Sequence, residues 1–197
     1  MISIFDYGAG NLRSVQNTLG ALGAEYELIR DAEGLRRATR LILPGVGHFG
    51  QMMRALDELQ VRAALIETIR AGVPFLGICL GLQALFTSSE EAPDERGLGI
   101  FDGQVRRFQG EMRIPHMGWN QLERRRPSRL LEGTGDQPFV YFAHSYYAPV
   151  VAATAAICEY SVSYTAVLEH DNIYGVQCHP EKSGELGLRI VRNFVES

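Results

Sequence analysis

The stretch Gly77-Ile78-Cys79-Leu80-Gly81 carries the most information about the fold of this chain. It follows an apolar run, Val73-Pro74-Phe75-Leu76, and precedes a helix-like run from Leu80 to Phe86. The pattern predicts a strand, a tight turn and a helix, with a cysteine at the turn. Glycines two residues on either side of Cys79 allow a sharp bend and leave room around the thiol. The stretch therefore predicts a nucleophile elbow, and a buried structural cysteine in a glycine-rich turn is the alternative.

A cysteine at such an elbow gains chemical advantages from its position. The bend presents the sulfur to substrate, and the N-terminus of the following helix favours the thiolate form. The backbone N–H of Leu80 can also donate a hydrogen bond to an oxyanion. These properties predict that Cys79 is a nucleophile.

A second candidate group lies near the C-terminus, at His179-Pro180-Glu181. Leu168 to His170 and Ile173 to Gln177 read as two strands joined by a tight turn at Asp171-Asn172. His179 follows the second strand, and Pro180 ends the strand pairing because it lacks an N–H. A nucleophile needs a base and the base needs an orienting group, so we predict that His179 and Glu181 fill these roles. A surface histidine in a turn is the alternative for His179-Pro180-Glu181 taken alone.

Together these residues resemble the Cys-His-Glu triad of the class I glutamine amidotransferases. Within that family, further stretches resemble the glutaminase subunits of imidazole glycerol phosphate synthases of histidine biosynthesis. The resemblance runs from Asp6 to the C-terminus and is carried by Leu43-Pro44-Gly45-Val46-Gly47, Pro115-His116-Met117-Gly118-Trp119-Asn120, Tyr141-Phe142-Ala143-His144-Ser145-Tyr146 and His179-Pro180-Glu181-Lys182-Ser183.

The resemblance implies hydrolysis of L-glutamine to glutamate and ammonia through a thioester on Cys79, without a cofactor or a metal. It implies an oxyanion hole made by the backbone of Gly45, Val46 and Leu80. It also implies a set of residues around the glutamine: Gln83, Glu91, His144, Ser145 and Tyr146. His144 is the chief rival of His179 for the role of base, but no carboxylate follows it directly.

The resemblance also implies a partner. The chain is short for a synthase, so the ammonia acceptor would lie on a second polypeptide, a (β/α)8-barrel cyclase subunit that forms a heterodimer with this chain. The residues that match the family's interface positions are Asn11, Met117, Trp119, Tyr141 and Lys182. Trp119 is the only tryptophan and is predicted to lie in a glycine-rich polar turn, which suits an interface anchor, whereas a core tryptophan is the alternative.

Composition agrees with an ordinary globular enzyme. The 197 residues are 46% hydrophobic and 21% charged, so we expect a single domain over residues 1–197. The net charge of −4 argues against a nucleic-acid partner. No apolar run is long enough to cross a bilayer, and no export signal is evident at the N-terminus. Three cysteines without metal-ligand spacing fit the reducing cytoplasm.

The order of predicted elements indicates an α/β fold with a mostly parallel sheet and a β-rich C-terminal part. The predicted strands are Ile2–Phe5, Tyr26–Ile29, Leu41–Leu43, Phe75–Ile78, Val105–Phe108, Phe139–Phe142, Ala155–Glu159, Ala166–Leu168 and Ile173–Gln177. Helices are predicted for Leu12–Leu22, in one or two pieces within Phe49–Ala71, and around Leu186, Ile190 and Phe194. Ser88 to Gly97 is predicted to be a polar loop.

Two alternatives to the glutaminase subunit of an imidazole glycerol phosphate synthase stay open. The chain could be a triad glutaminase of another pathway, such as the one that feeds pyridoxal phosphate synthesis. It could also be a non-catalytic or redox-sensing thiol domain of the same fold. Asp6 to Asn11 offers glycines between a strand and a helix, but the dinucleotide-binding fingerprint is incomplete there. Cys178 departs from the family pattern, which usually has an aromatic residue before His-Pro-Glu, and we expect it in the core.

Overall fold

The computed structural model describes all residues from 1 to 197. Its strands, numbered in chain order, are β1 Ile2–Phe5, β2 Tyr26–Ile29, β3 Leu41–Gly45, β4 Phe75–Cys79, β5 Phe86–Ser89, β6 Phe101–Arg107, β7 His116–Gln121, β8 Glu123–Arg124, β9 Phe139–His144, β10 Tyr146–Tyr147, β11 Thr154–Tyr160, β12 Val162–His170 and β13 Ile173–Val176. Its α-helices are α1 Leu12–Ala21, α2 Ala32–Arg37, α3 Phe49–Glu58, α4 Arg62–Arg70, α5 Leu80–Gln83 and α6 Gly184–Glu196. Short 3₁₀ turns lie at Arg129–Leu131 and Pro180–Lys182.

An eight-stranded sheet with the order β2-β1-β3-β4-β13-β12-β11-β8 forms the centre of the molecule. The first five strands in that order run parallel to one another, and the last three are joined by antiparallel pairs. The mixed α/β architecture with a mostly parallel sheet is therefore confirmed. Two small sheets, β10-β6-β5 and β7-β9, lie outside it.

Both faces of the large sheet are buried under apolar side chains. In β3, Leu41 and Leu43 belong to one hydrophobic cluster, and Ile42 between them belongs to the other. Successive side chains of a strand point to opposite faces, so the two clusters cover the two faces of the sheet. This burial explains why the parallel strands read as continuous apolar runs in the sequence. No helix combines the length and the hydropathy that a bilayer crossing requires.

The parallel strands bring the site residues to one edge of the sheet. β4 lies between β3 and β13, with Gly45 opposite Cys79 and Val176 opposite Ile78. The carboxyl ends of these strands therefore meet, and ligands of open α/β sheets bind at this edge. The turn between β12 and β13 at Asp171-Asn172 is present, with His170 paired to Ile173.

The structure corrects several sequence-based boundaries. The helix predicted from Leu80 to Phe86 ends at Gln83, and Phe86 begins strand β5, which continues through Ser88 into the predicted polar loop. Short apolar runs fit helical and strand periods equally well, and pairing of β5 with β6 decides between them here. β6 begins at Phe101 rather than at Val105.

Other elements were not predicted from the sequence at all. Strand β7 follows Pro115 and contains Gly118 and Asn120, residue types that are depleted in strands. Its pairing with β9 along the whole strand supplies the hydrogen bonds that compensate for this composition. Trp119 consequently lies in a strand and not in a turn. Three other short elements also escaped prediction: α2, β8 and β10.

Candidate active site

Cys79 sits at a strained elbow between β4 and α5. Its φ angle is 54°, in the left-handed region that L-residues rarely adopt. A Cβ atom on Gly81 would collide with the carbonyl oxygen of Leu43, and one on Gly77 would collide with the backbone of Gly81. Gly81 is therefore required for the close approach of the elbow to β3, and Gly77 for the close approach of α5 to β4. This geometry holds the cysteine at the N-terminus of α5.

Two hydrogen bonds fix the backbone of His179, and Glu181 orients its imidazole ring. Its N–H donates to the carbonyl of Tyr141 at 2.9 Å, and its carbonyl accepts from the Ser183 hydroxyl at 2.7 Å. The ring Nδ1 lies 2.9 Å from Glu181 Oε1, and both side chains are almost fully buried. The 3₁₀ turn at Pro180–Lys182 lets the carboxylate reach back to the imidazole.

The triad favours a protonated imidazole. Burial alone lowers the pKa of His179, but hydrogen bonding and charge from Cys79 and Glu181 outweigh burial and raise the pKa to about 10. An imidazolium beside the sulfur stabilises a thiolate, which is the nucleophilic form of cysteine. Cys79, His179 and Glu181 can thus act together in attack on a carbonyl carbon and in proton transfer to a leaving group.

A cavity of about 280 Å³ opens over the elbow. It is lined by Val46, Gly47, Cys79, Leu80, Gln83, Glu91, Pro115, Met117, Ala143, His144, Ser145, Tyr146 and His179. The residues predicted to surround the substrate are therefore gathered around the nucleophile. Glu181 lies behind His179, and Gly45 lies under the elbow, where a Cβ would collide with Met52 and Leu80.

Gln177 is a site residue that the sequence analysis did not identify. It is completely buried, and its Nε2 lies 3.5 Å from the sulfur of Cys79. Its Oε1 accepts from Gln83 Nε2 at 2.9 Å, and Gln83 also donates to the carbonyl of Tyr146 at 2.8 Å. The signal in the sequence is a single polar residue directly after an apolar strand and two residues before His179.

The loop after β3 faces the elbow, and a tyrosine holds it. The carbonyl of Val46 accepts a hydrogen bond of 3.4 Å from the hydroxyl of Tyr7. Burial raises the pKa of Tyr7 to about 12, so the hydroxyl stays a donor at neutral pH. Leu80 begins α5, where backbone N–H groups lack intrahelical partners. Val46, Gly47 and Leu80 all line the cavity beside the nucleophile, whereas Gly45 does not.

Glu91 and His144 line the cavity with defined partners. One carboxylate oxygen of Glu91 accepts from the N–H of Phe49 at 2.7 Å, in the first turn of α3. His144 contacts the carbonyl of Tyr146 through Nδ1 and the hydroxyl of Tyr164 through Nε2. Burial, as the largest cause, lowers the pKa of His144 to about 3. His144 is therefore a poor general base at neutral pH.

The small β7-β9 sheet carries an exposed aromatic face next to the cavity. Met117 is 60% exposed and Trp119 is 56% exposed, and Trp119 is paired with Tyr141 across the strands. Lys182 Nζ lies 5.8 Å from the centre of the Tyr141 ring. Phe139, which the sequence analysis did not single out, is also exposed on this sheet. Asn11 is partly exposed at the start of α1.

Comparison with known proteins identifies relatives over the whole chain. A family model described as glutamine amidotransferase class-I matches residues 3–197. Proteins named imidazole glycerol phosphate synthase subunit HisH are similar throughout. One from Methanothermobacter thermautotrophicus is 50% identical over 100% of this chain and 98% of its own length. One from Thermococcus kodakarensis is 46% identical over 98% of each chain. One from Desulfitobacterium hafniense is 45% identical over 98% of this chain and 93% of its own length.

Solved structures share the fold at much lower sequence identity. A crystal structure of a glutamine amidotransferase superposes with a TM-score of 0.77 at 20% identity, covering 99% of this chain and 97% of that one. The structure titled PurLQS from Thermotoga maritima also gives a TM-score of 0.77, at 17% identity, with the same coverage. These similarities concern the architecture of the sheet and its helices.

Proposed function

The chain belongs to the class I glutamine amidotransferases, and we propose that it acts as the glutaminase subunit of an imidazole glycerol phosphate synthase in histidine biosynthesis. The chain is a glutamine amidotransferase enzyme by its family. Relatives that carry the synthase name at 45% identity or more over nearly the whole chain support the more specific role. The observation that carries the chemistry is the grouping of Cys79, His179 and Glu181 at one cavity.

In this proposal Cys79 attacks the side-chain amide of glutamine. The sulfur forms a bond to the amide carbon, and the negative charge that develops on the oxygen is stabilised by backbone N–H groups of Leu80 and of the Gly45-Val46 loop. His179 donates its proton to the departing nitrogen, ammonia leaves and a glutamyl thioester remains. Water then attacks the thioester, with His179 accepting a proton, and glutamate is released with the thiol restored.

We place the glutamine head group against the polar lining of the cavity: Gln83, Glu91, His144, Ser145 and Tyr146. Gln83 and Glu91 are oriented by hydrogen bonds to Tyr146 and Phe49, which limits the freedom they would lose on binding. Gln177 supports both Gln83 and the sulfur of Cys79. Residues 1–197 would act together as one glutaminase domain.

We further propose that ammonia passes to a cyclase subunit docked on the β7-β9 sheet. The proposed interface consists of Asn11, Met117, Trp119, Tyr141 and Lys182, and the cyclase would be a (β/α)8 barrel. Met117 contributes both to this exposed face and to the cavity lining, so the cavity opens toward the proposed partner. Three buried cysteines without disulfides suit a reducing compartment, and we assign the protein to the cytoplasm.

Glutamate release from glutamine tests the proposal. The purified chain is measured alone, with the cyclase subunit of the same genome, and with that subunit and its nucleotide substrate. We expect low activity alone, strong activation in the complex with nucleotide, and loss of activity in Cys79→Ser. Activity that ignores this cyclase but responds to another acceptor subunit would assign the chain to a different pathway. No activity in any mixture would exclude the glutaminase.

A further inference from the structure

Two histidines and a tyrosine form a buried hydrogen-bonded chain, of which only His144 lines the cavity, and the reaction steps described above use none of the three. The hydroxyl of Tyr164 lies 3.2 Å from His116 Nδ1 and 3.3 Å from His144 Nε2. His144 Nδ1 lies 2.8 Å from the carbonyl of Tyr146, and Asn120 Nδ2 lies 3.4 Å from His116 Nε2. The two histidines face each other across β7 and β9 in the strand register.

The end of this hydrogen-bonded chain at the Tyr146 carbonyl determines which atoms donate. A backbone carbonyl can only accept, so His144 Nδ1 carries the proton that is donated to Tyr146. A neutral imidazole carries one proton, which leaves His144 Nε2 as an acceptor. The hydroxyl of Tyr164 must therefore donate to His144, and its oxygen can accept from His116.

The other end, at Asn120, gives the same hydrogen-bond direction independently. Asn120 Oδ1 accepts from the N–H of Gln121, and Asn120 Nδ2 donates to the carbonyl of Glu159 at 3.0 Å. The amide nitrogen is therefore the atom that faces His116 Nε2, and this ring nitrogen has to accept. His116 then carries its proton on Nδ1 and donates it to Tyr164. Both ends agree on one direction, from Asn120 to Tyr146.

The surroundings keep both histidines neutral, as this direction requires. Burial lowers the pKa of His116 to about 4, and burial, as the largest cause, lowers the pKa of His144 to about 3. The ring of His116 is stacked between Tyr160, with ring centres 4.0 Å apart, and Phe142, with ring centres 4.9 Å apart. Tyr164 itself is completely buried. Each polar atom of these side chains has a partner, so removal of one hydroxyl leaves two neighbours unsatisfied.

We propose that Tyr164 is a positioning residue for glutamine, which acts through His144 to hold the carbonyl of Tyr146 and the substrate-facing segment Ser145-Tyr146 in place. The Tyr146 carbonyl is also the acceptor for Gln83, so the same point orients a side chain of the cavity. This inference rests on the proposed glutaminase function. It concerns a residue outside the cavity lining and outside the triad.

The Tyr164→Phe variant removes the hydroxyl and keeps the ring. Since only the support of the substrate segment is lost, we expect KM for glutamine to rise about 5- to 30-fold, as for loss of a buried hydrogen bond, with kcat changed less than about threefold. The matched control is Tyr160→Phe. Its ring packs in the same cluster, but its hydroxyl donates to the carbonyl of Arg113, which is not part of the hydrogen-bonded chain from Asn120 to Tyr146. KM should therefore stay unchanged. Both variants are assayed in the complex with the cyclase subunit.

A nitrogen NMR measurement tests the hydrogen-bonded chain directly and does not depend on an activity assay. In the wild-type protein, His116 and His144 should both show the neutral form protonated on Nδ1. Tyr164→Phe should change the nitrogen signals of both rings, and Tyr160→Phe should leave the protonation pattern intact. A merely structural role of Tyr164 would not require this pattern.

The outcomes separate the inference from the proposed function. Protonation of His144 on Nε2 in the wild type would refute the proposed direction of the hydrogen bonds, even if Tyr164→Phe proved too unstable to assay. Equal KM values in both variants, or a loss confined to kcat in Tyr164→Phe, would overturn the positioning role. A wild-type protein without glutaminase activity would refute the proposed function, whereas the protonation pattern would still show whether the hydrogen bonds run in the proposed direction.

Discussion

Gln177 directs its amide Nε2 at the sulfur of Cys79 across 3.5 Å in a part of the site that is shielded from solvent. An N–H group in this position favours the thiolate over the thiol, because hydrogen bonds to charged groups are stronger than those to neutral ones. The same side chain accepts from Gln83. Gln177 therefore connects the nucleophile with the wall of the cavity.

Replacing this amide tests its contribution. In Gln177→Met the donor is lost with little change in volume, and we expect kcat/KM for glutamine to fall about 10- to 100-fold. Alkylation of Cys79 should also become slower at neutral pH, because less thiolate is present. Gln137→Met, at an exposed loop position, is the control. An unchanged alkylation rate would contradict the role assigned to Gln177.

Glu181 should be essential for fast turnover. Glu181→Gln removes the charge that helps to raise the pKa of His179, so the imidazolium is less stable. We expect kcat for glutamate release to drop about 10²- to 10⁴-fold, as when the orienting carboxylate of a triad is neutralised. Glu185→Gln makes the same substitution on the exposed first turn of α6 and should have no effect. Comparable kcat in both variants would refute the triad as assigned.

Only one of the three cysteines should react with iodoacetamide near neutral pH. Burial raises the pKa of Cys158 to about 11 and raises that of Cys178 as well, whereas Cys79 lines the cavity. Mass spectrometry should find one label on each folded wild-type chain and none on Cys79→Ser. Labelling of Cys158 or Cys178 in the folded protein would show that these thiols are accessible.

The lowered pKa values of His116 and His144 predict a loss of stability in acid. The pKa values of His116 and His144 are lowered to about 4 and about 3, below the unfolded value of about 6.5. The unfolded chain therefore binds more protons in this interval, and the stabilisation is present above about pH 6.5 and is lost as the pH falls toward 4. Each histidine should lower the free energy of unfolding by about 1.4 kcal/mol per pH unit.

Denaturant unfolding between pH 6.5 and pH 5, above the usual carboxylate range of about 4, measures this slope. His116→Gln should remove about half of it. His170→Asn, at a side chain that is 59% exposed, should retain it. A slope that does not change in His116→Gln would mean that folding does not lower the pKa of this histidine.

Trp119 should anchor the partner subunit. A tryptophan that is 56% exposed on a strand is a strong candidate for an energetic centre of an interface, so Trp119→Ala should weaken binding of the cyclase subunit at least about 10-fold. Leu59→Ala, at an exposed apolar residue beyond α3, provides the comparison and should bind normally. Calorimetric titration gives both affinities. Equal affinities would move the docking surface away from the β7-β9 sheet.

Much of the fold could be read from the sequence because parallel strands buried on both faces leave continuous apolar runs. Leu41–Leu43 is such a run, and Ile2–Phe5 is interrupted only by Ser3; both strands were recognised. The elements that escaped prediction are short or polar and depend on neighbours that are distant in the chain. Strand β7 exists because β9 supplies its hydrogen bonds, and Phe86 leaves the predicted helix because β6 is available for pairing.

The amino-acid sequence by itself determined the chemistry of the candidate site, since glycines around Cys79 and a carboxylate two residues after His179 are local patterns with local geometric consequences. Only the tertiary structure decided how the buried polar side chains are connected. Gln177 and Tyr164 read as ordinary strand-end and strand residues, and their partners lie 98 and 20 or more positions away. Hydrogen-bond direction depends on which donors and acceptors meet in three dimensions, and no local pattern encodes that meeting.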